Sequence, residues 1–426
     1  MVQLQDLHMS VIVRPLFFIF ALVCGASGMS HAAFLDDLAN PATWEKTVSE
    51  VFAELPPSLY FSRIDAETIR LPRQKDFELG DFPHGDVVLR WDDEKKLNRV
   101  EIIVYNKGDD GNVTREQFKT LLEKMEQTLN ELLPVEGKSR KMDKLDTGVR
   151  GQTEVWETER CGTWLLESSS TGRGKTFASE FIRLTIGKSL EKGGASDVAR
   201  RVSLKANVSR ESDGSVWIKN IPMVDQGEKG YCVPATAARV FAYYGMDGVD
   251  QHAMAALCQS QSGNGGTTMP QMRAALQDLG KAFHFRVKTM EDGTFAEMVA
   301  LYNKEAKKQK ASAIAISDIY MGNVDGDILR AARTRNASKV KKWMADVKKC
   351  IDEGVPVLWC VVLGLFEEQG IPQARGGHMR LIIGYNPDEE TIIYSDSWGA
   401  GHARKKMSVE EAYSMTVERS IMRLSR

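Results

Sequence analysis

Along the first half of the chain, β-branched and aromatic residues alternate with polar ones in short runs. The spacing predicts strands over 86–91 and 99–105, joined as a hairpin by the polar segment 92–98, and further strands over 151–158, 161–168 and 176–186. Between them the period changes. Phe118, Leu121, Leu122, Met125, Leu129 and Leu132 recur at helical spacing behind Thr114 and Gln117, which form a capping box, and Pro134 closes the segment. One sheet with a helix packed on it is the expectation for 33–186.

Residues 187–214 are rich in Gly, Ser, Lys, Arg and Asp and lack any period, so they read as a linker at a domain boundary. Beyond it the pattern predicts helices over 234–244, 251–259, 270–279, 294–309 and 336–350. Strands are expected over 311–317, 356–363, 379–385 and 391–396. Helices come first and sheet later. The expected fold class is α+β in both parts, with a separate N-terminal domain over 33–186 and a second domain over 215–426. The 426 residues, at about 150 per domain, accommodate two or three units.

Charge removes one class of partner. The 56 basic and 58 acidic residues are interspersed, for a net charge of −2, and leave no basic stripe of the kind that phosphate backbones require, so nucleic acid is not expected. Residues 1–32 read as a cleavable export signal. Arg14 precedes an apolar run from Leu16 to Val23, too short to span a bilayer, and Ser30-His31-Ala32 offers a small-x-small cleavage site. A secreted or periplasmic protein follows, with no stable membrane span after signal removal. Lipidation at Cys24 is disfavoured by the bulk of Val23. Without the signal five cysteines remain, an odd number that leaves at least one thiol unpaired; the other four either pair or pack as small hydrophobes. Gly174-Lys175-Thr176 ends like a phosphate loop. Ser169 stands where its first glycine belongs and a strand pattern follows, so the segment reads as a basic hairpin turn.

The chemistry concentrates in the second half. Cys232 stands at the mouth of an apolar helix with Pro234 in its first turn, where the positive end of the helix dipole favours a thiolate. Gln226 precedes it by six residues across a loop with Gly227 and Gly230, which can bring a side-chain amide and the Cys232 N–H to one oxyanion. His378 follows Gly376 and Gly377, small residues that keep a groove open, and leads into an apolar strand. Asp396 ends another strand and can fix the tautomer of His378, with the indole of Trp398 shielding that bond from water. His402 is the rival base. It follows the Asp-Ser-Trp element instead of preceding it.

Gln226 and Cys232, Gly377-His378 and Asp396-Ser397-Trp398-Gly399 resemble the papain-like cysteine peptidases, in which the histidine and its orienting residue lie roughly 130–150 residues after the cysteine. Here the separations are 146 and 164. Papain has Asn-Ser-Trp-Gly where this chain has Asp396-Ser397-Trp398-Gly399, and its Cys-Gly-Ser-Cys-Trp signature is absent. Cys232-Val233-Pro234-Ala235, with Tyr243-Tyr244-Gly245, is more similar to the bacterial bacteriocin-processing (double-glycine) branch, whose third residue is Asp and which has Cys-Gly-Pro-Ala. The resemblance covers about 216–426. It implies a helical half and an antiparallel β half with a cleft between them, a peptide or protein substrate, and no metal or organic cofactor. An amide at position 396 is expected to orient the imidazole as papain's does. A transglutaminase-like or other thiol acyltransferase, or a non-catalytic peptide-binding module that keeps the fold, are the alternatives. The N-terminal domain, with its own sheet, exceeds what blocking a cleft requires, which favours a receptor over a prosegment.

Overall fold

The computed structural model describes residues 37–55, 59–73, 78–79, 82–83, 85–140, 149, 151–171, 177–188, 201–246, 249–261, 266–370 and 376–425. The candidate export signal, Cys24 and the turn 172–176 lie outside them. The chain divides into two compact units, one holding the described residues up to Lys188 and the other those from Arg201 onward.

In the first unit, strands β1 (Ser62–Arg63), β2 (Thr68–Leu71), β5 (Val87–Trp91), β6 (Leu97–Asn106), β7 (Lys138–Arg140), β8 (Gly151–Glu157), β9 (Thr163–Thr171) and β10 (Ala178–Gly187) form one antiparallel sheet. Its order is β1-β2-β5-β6-β10-β9-β8-β7, and β3 (Glu78–Leu79) pairs separately with β4 (Phe82–Pro83). The β5–β6 hairpin falls where the alternation placed it. The helix Arg115–Leu132 opens on the Thr114–Gln117 capping box and buries Phe118, Met125 and Leu129 in the core with Trp156, Trp164 and Leu184. These three side chains lie on one face of the helix and are removed from water, which stabilises it by roughly 1.5–3 kcal/mol per side chain.

The second unit contains β11 (Val208–Arg210), β12 (Val216–Ile218), β13 (Phe285–Asp292), β14 (Val357–Leu363), β15 (Gly376–Asn386), β16 (Thr391–Ser395), β17 (Lys405–Ser408) and β18 (Thr416–Leu424). The sheet runs β11-β12-β15-β14-β18-β13, with β16 on β15 and β17 on β16. All pairings are antiparallel. β14 is buried along its whole length, which is why it reads as an unbroken apolar run with no alternation. The helix Cys232–Tyr243 packs on β15. Ala235, Ala237 and Ala238 permit a close approach, and Thr236 Oγ1 donates to the Met379 carbonyl at 3.2 Å. Among the described residues no helix is long and apolar enough to cross a membrane.

Two expectations need correction. Residues 311–315 form no strand, and Ile316 instead opens the helix Ile316–Met321. Asn303 supplies the reason: its side chain takes the Ile314 N–H at 2.8 Å and donates to the Ile314 carbonyl at 2.9 Å, replacing ladder bonds at that residue. Of the stretch 187–214, residues 189–200 lie outside the described residues, and the remainder is more than a linker. Gly187 ends β10, 201–206 are helical, and Val208–Arg210 adds an edge strand by pairing with Val216–Ile218.

Candidate active site

Cys232 is the first residue of its helix, and no side chain caps that end. The first N–H groups of a helix have no partner inside it, so the Cys232 amide and the dipole both point toward whatever occupies this end. The thiol is half-buried, whereas the free thiols of Cys161, Cys258, Cys350 and Cys360 are buried. Burial pushes those four upward, Cys258 and Cys360 to about 12. Burial also acts on Cys232, but a hydrogen bond from His378 and the charge of its ring outweigh it and bring the thiol below its ordinary value.

His378 sits near the start of β15, opposite Val361 of β14. Gly376, two residues earlier, holds φ at 117°, where a side chain would be strained, and a Cβ there would lie 3.3 Å from Tyr320. Gly377 faces Phe295, whose ring meets Tyr320 edge-on at 5.7 Å. An aromatic wall therefore flanks the approach to His378. The ring Nε2 bonds to Asp396 Oδ1 at 2.7 Å, leaving Nδ1 for the thiol, and Trp398 stacks on the imidazole with centroids 4.5 Å apart and planes within 10°. Burial disfavours the imidazolium, but Asp396 and Cys232 more than offset it and raise His378 to about 9.

Asp396 follows β16 and is wholly buried. Its Oδ1 also accepts from the Ser397 N–H at 2.9 Å, and its Oδ2 accepts from Arg380 Nε at 2.7 Å. Against the cost of burial, His378 and Arg380 hold this carboxyl far below the usual carboxylate range. Gln226 is tied to the same segment: its Oε1 accepts from Ser397 Oγ at 2.6 Å, its backbone N–H donates to the Ser397 carbonyl at 2.8 Å, and its Nε2 donates to the Lys229 carbonyl at 3.2 Å. Among the described residues, one amide proton of Gln226 thus remains for a further acceptor. Gly227, with φ at 68°, makes the turn that returns the loop.

Cys232, His378 and Asp396 are thus joined in one hydrogen-bonded row, and Gln226 and Trp398 are fixed to the segment that carries Asp396. His402 stands outside the row. Its ring meets Trp398 edge-on at 5.7 Å, its Nδ1 has no hydrogen-bond partner among the described residues, and its carbonyl accepts the Asp396 N–H. Sequence reasoning missed Arg239 and Arg380. Arg239, buried on the Cys232 helix, donates to the Pro222 and Asp396 carbonyls at 2.7 and 2.9 Å and to Ser395 Oγ, locking helix to strand. The signal was present in both cases: a cation inside an apolar run is almost never buried unless it is paired.

Residues 218–421 match the model of the Peptidase_C39 like family. The match takes in most of the second unit and none of the first, and it bears out the resemblance to papain-like cysteine peptidases of the bacteriocin-processing branch. No curated protein matches the chain. Within the C39-like stretch lie all of Gln226, Cys232, His378, Asp396 and Trp398. Among the described residues no group of three or more His, Cys, Asp or Glu side chains is placed to hold a metal ion.

The thiols give an immediate check. Iodoacetamide at mildly acidic pH should modify Cys232 well ahead of the four buried cysteines, because only Cys232 combines access with a thiol held below its ordinary value and so partly ionised. Peptide mapping reads the order. Faster reaction at Cys258 or Cys360 in the folded protein would remove Cys232 as nucleophile.

Proposed function

We propose that this chain is an exported thiol peptidase that cleaves peptide bonds through Cys232, His378 and Asp396, with Gln226 and the Cys232 amide binding the oxyanion. The observation that carries the reading is the row from the Cys232 thiol through His378 to Asp396, with the 2.7 Å bond at its far end. The Cys232 thiolate adds to the peptide carbonyl, and negative charge develops on the carbonyl oxygen. His378 Nδ1 then protonates the departing amine, and a thioester remains. Water, deprotonated by the same nitrogen, releases the acid and restores the thiol. Asp396 keeps Nε2 protonated throughout, and Trp398 excludes water from that bond. The Phe295–Tyr320 wall favours a substrate with an apolar side chain beside the cut bond.

The signs of the two shifts define a pH profile. Turnover should rise from acid as Cys232 gives up its proton at a pH below the ordinary thiol value, and fall through about 9 as His378 loses the proton that the leaving amine needs. Peptide hydrolysis followed across pH tests this. A profile that keeps rising through and beyond about 9, as for an unassisted thiol, would contradict the thiolate–imidazolium pair.

A further inference from the structure

The row does not end at Asp396. Arg380, two residues after His378 and therefore on the same side of β15, is fully buried. Its Nε donates to Asp396 Oδ2 at 2.7 Å, and its two terminal nitrogens grip Glu368 at 2.8 to 3.1 Å. Tyr394 hydroxyl donates to Glu368 in turn, and the guanidinium lies 4.8 Å from the Tyr394 ring centre. Arg239 reaches only the Asp396 carbonyl and His402 only its amide, so neither competes for Oδ2.

We propose that Arg380, held by Glu368, is a positioning residue that commits position 396 to a carboxylate and makes the amide of papain unworkable in this site. The inference rests on the thiol peptidase reading above. An amide has one accepting end and one donating end, while the site presents donors at both: protonated His378 Nε2 and the Ser397 N–H on one side, Arg380 Nε on the other. If Asp396→Asn keeps its oxygen toward His378, its NH2 faces the Arg380 N–H. If it turns over, the NH2 faces the Ser397 N–H and accepts nothing from His378, which must then hold its proton on Nδ1, where the thiol would have delivered it. Either arrangement disfavours the thiolate–imidazolium pair.

The test uses alkylation of Cys232 by iodoacetamide in the full chain, which needs no peptide. At mildly acidic pH, Asp396→Asn should react at least about tenfold more slowly than wild type and no faster than Asp396→Ala, while at alkaline pH, where every accessible thiol is ionised, the rates should converge. Adding Arg380→Gln to Asp396→Asn should restore part of the acidic rate, because the terminal oxygen so introduced stands at the position of Arg380 Nε and accepts from the new amide. Near-UV circular dichroism checks that each variant is folded. An Asp396→Asn protein that matches wild type, or clearly exceeds Asp396→Ala, overturns the proposal even if the double variant does not fold. A folded double variant no faster than Asp396→Asn alone also overturns it. An unreactive wild-type Cys232 would instead overturn the peptidase reading beneath.

Discussion

Replacing His378 by Ala should lower peptide turnover by at least about 10⁴-fold, the scale on which a nucleophile–base pair is lost when one member is removed. Two losses combine. The leaving amine no longer has a proton donor, and Cys232 loses the group that holds its thiol down, so burial is left to push it up. Acidic alkylation of Cys232 should therefore disappear in parallel with activity, while the folded core persists, since His378 is anchored by contacts of its own strand. Steady-state kinetics and alkylation on one preparation read both. Near wild-type turnover would take His378 out of the mechanism and leave His402 as the base to test.

The second large effect belongs to Gln226. Its truncation in Gln226→Ala should cost about 10²–10³-fold in kcat, the range for one donor of an oxyanion hole, with KM little changed because the interaction strengthens only as charge develops. Ser397 Oγ would lose its acceptor, a structural cost of about 1 kcal/mol. A loss confined to KM, with kcat intact, would mean that Gln226 binds substrate and does not stabilise an oxyanion.

Much of this arrangement was legible in the chain because it depends on local rules. The Thr114–Gln117 cap, the β5–β6 hairpin and the helix that begins at Cys232 are each set by neighbours a few residues apart. The order of Gln226, Cys232, His378 and Asp396 pointed to the candidate site. What stayed hidden depends on contacts between distant residues. β18 buries Glu418, Arg419 and Ser420, so its polar positions do not mark a solvent face, and Arg419 is neutralised by Glu291 of β13, 128 residues away, at 3.1 Å. The edge strand β11 and its neighbour β12 are three residues each, too short for a period to emerge. The run 311–317 failed for the opposite reason, an apolar alternation whose Ile314 backbone was already taken by Asn303. Arg380 was passed over inside an apolar strand, and with it the partner that changes what Asp396→Asn should do.

The central claim is that Cys232 cuts peptide bonds. The most direct measurement incubates the full chain with a peptide library, identifies new termini by mass spectrometry, and repeats the experiment with Cys232→Ala. The account predicts new termini with wild type, enriched in an apolar residue near the cut, and none above background with Cys232→Ala. The same termini from both proteins would contradict it.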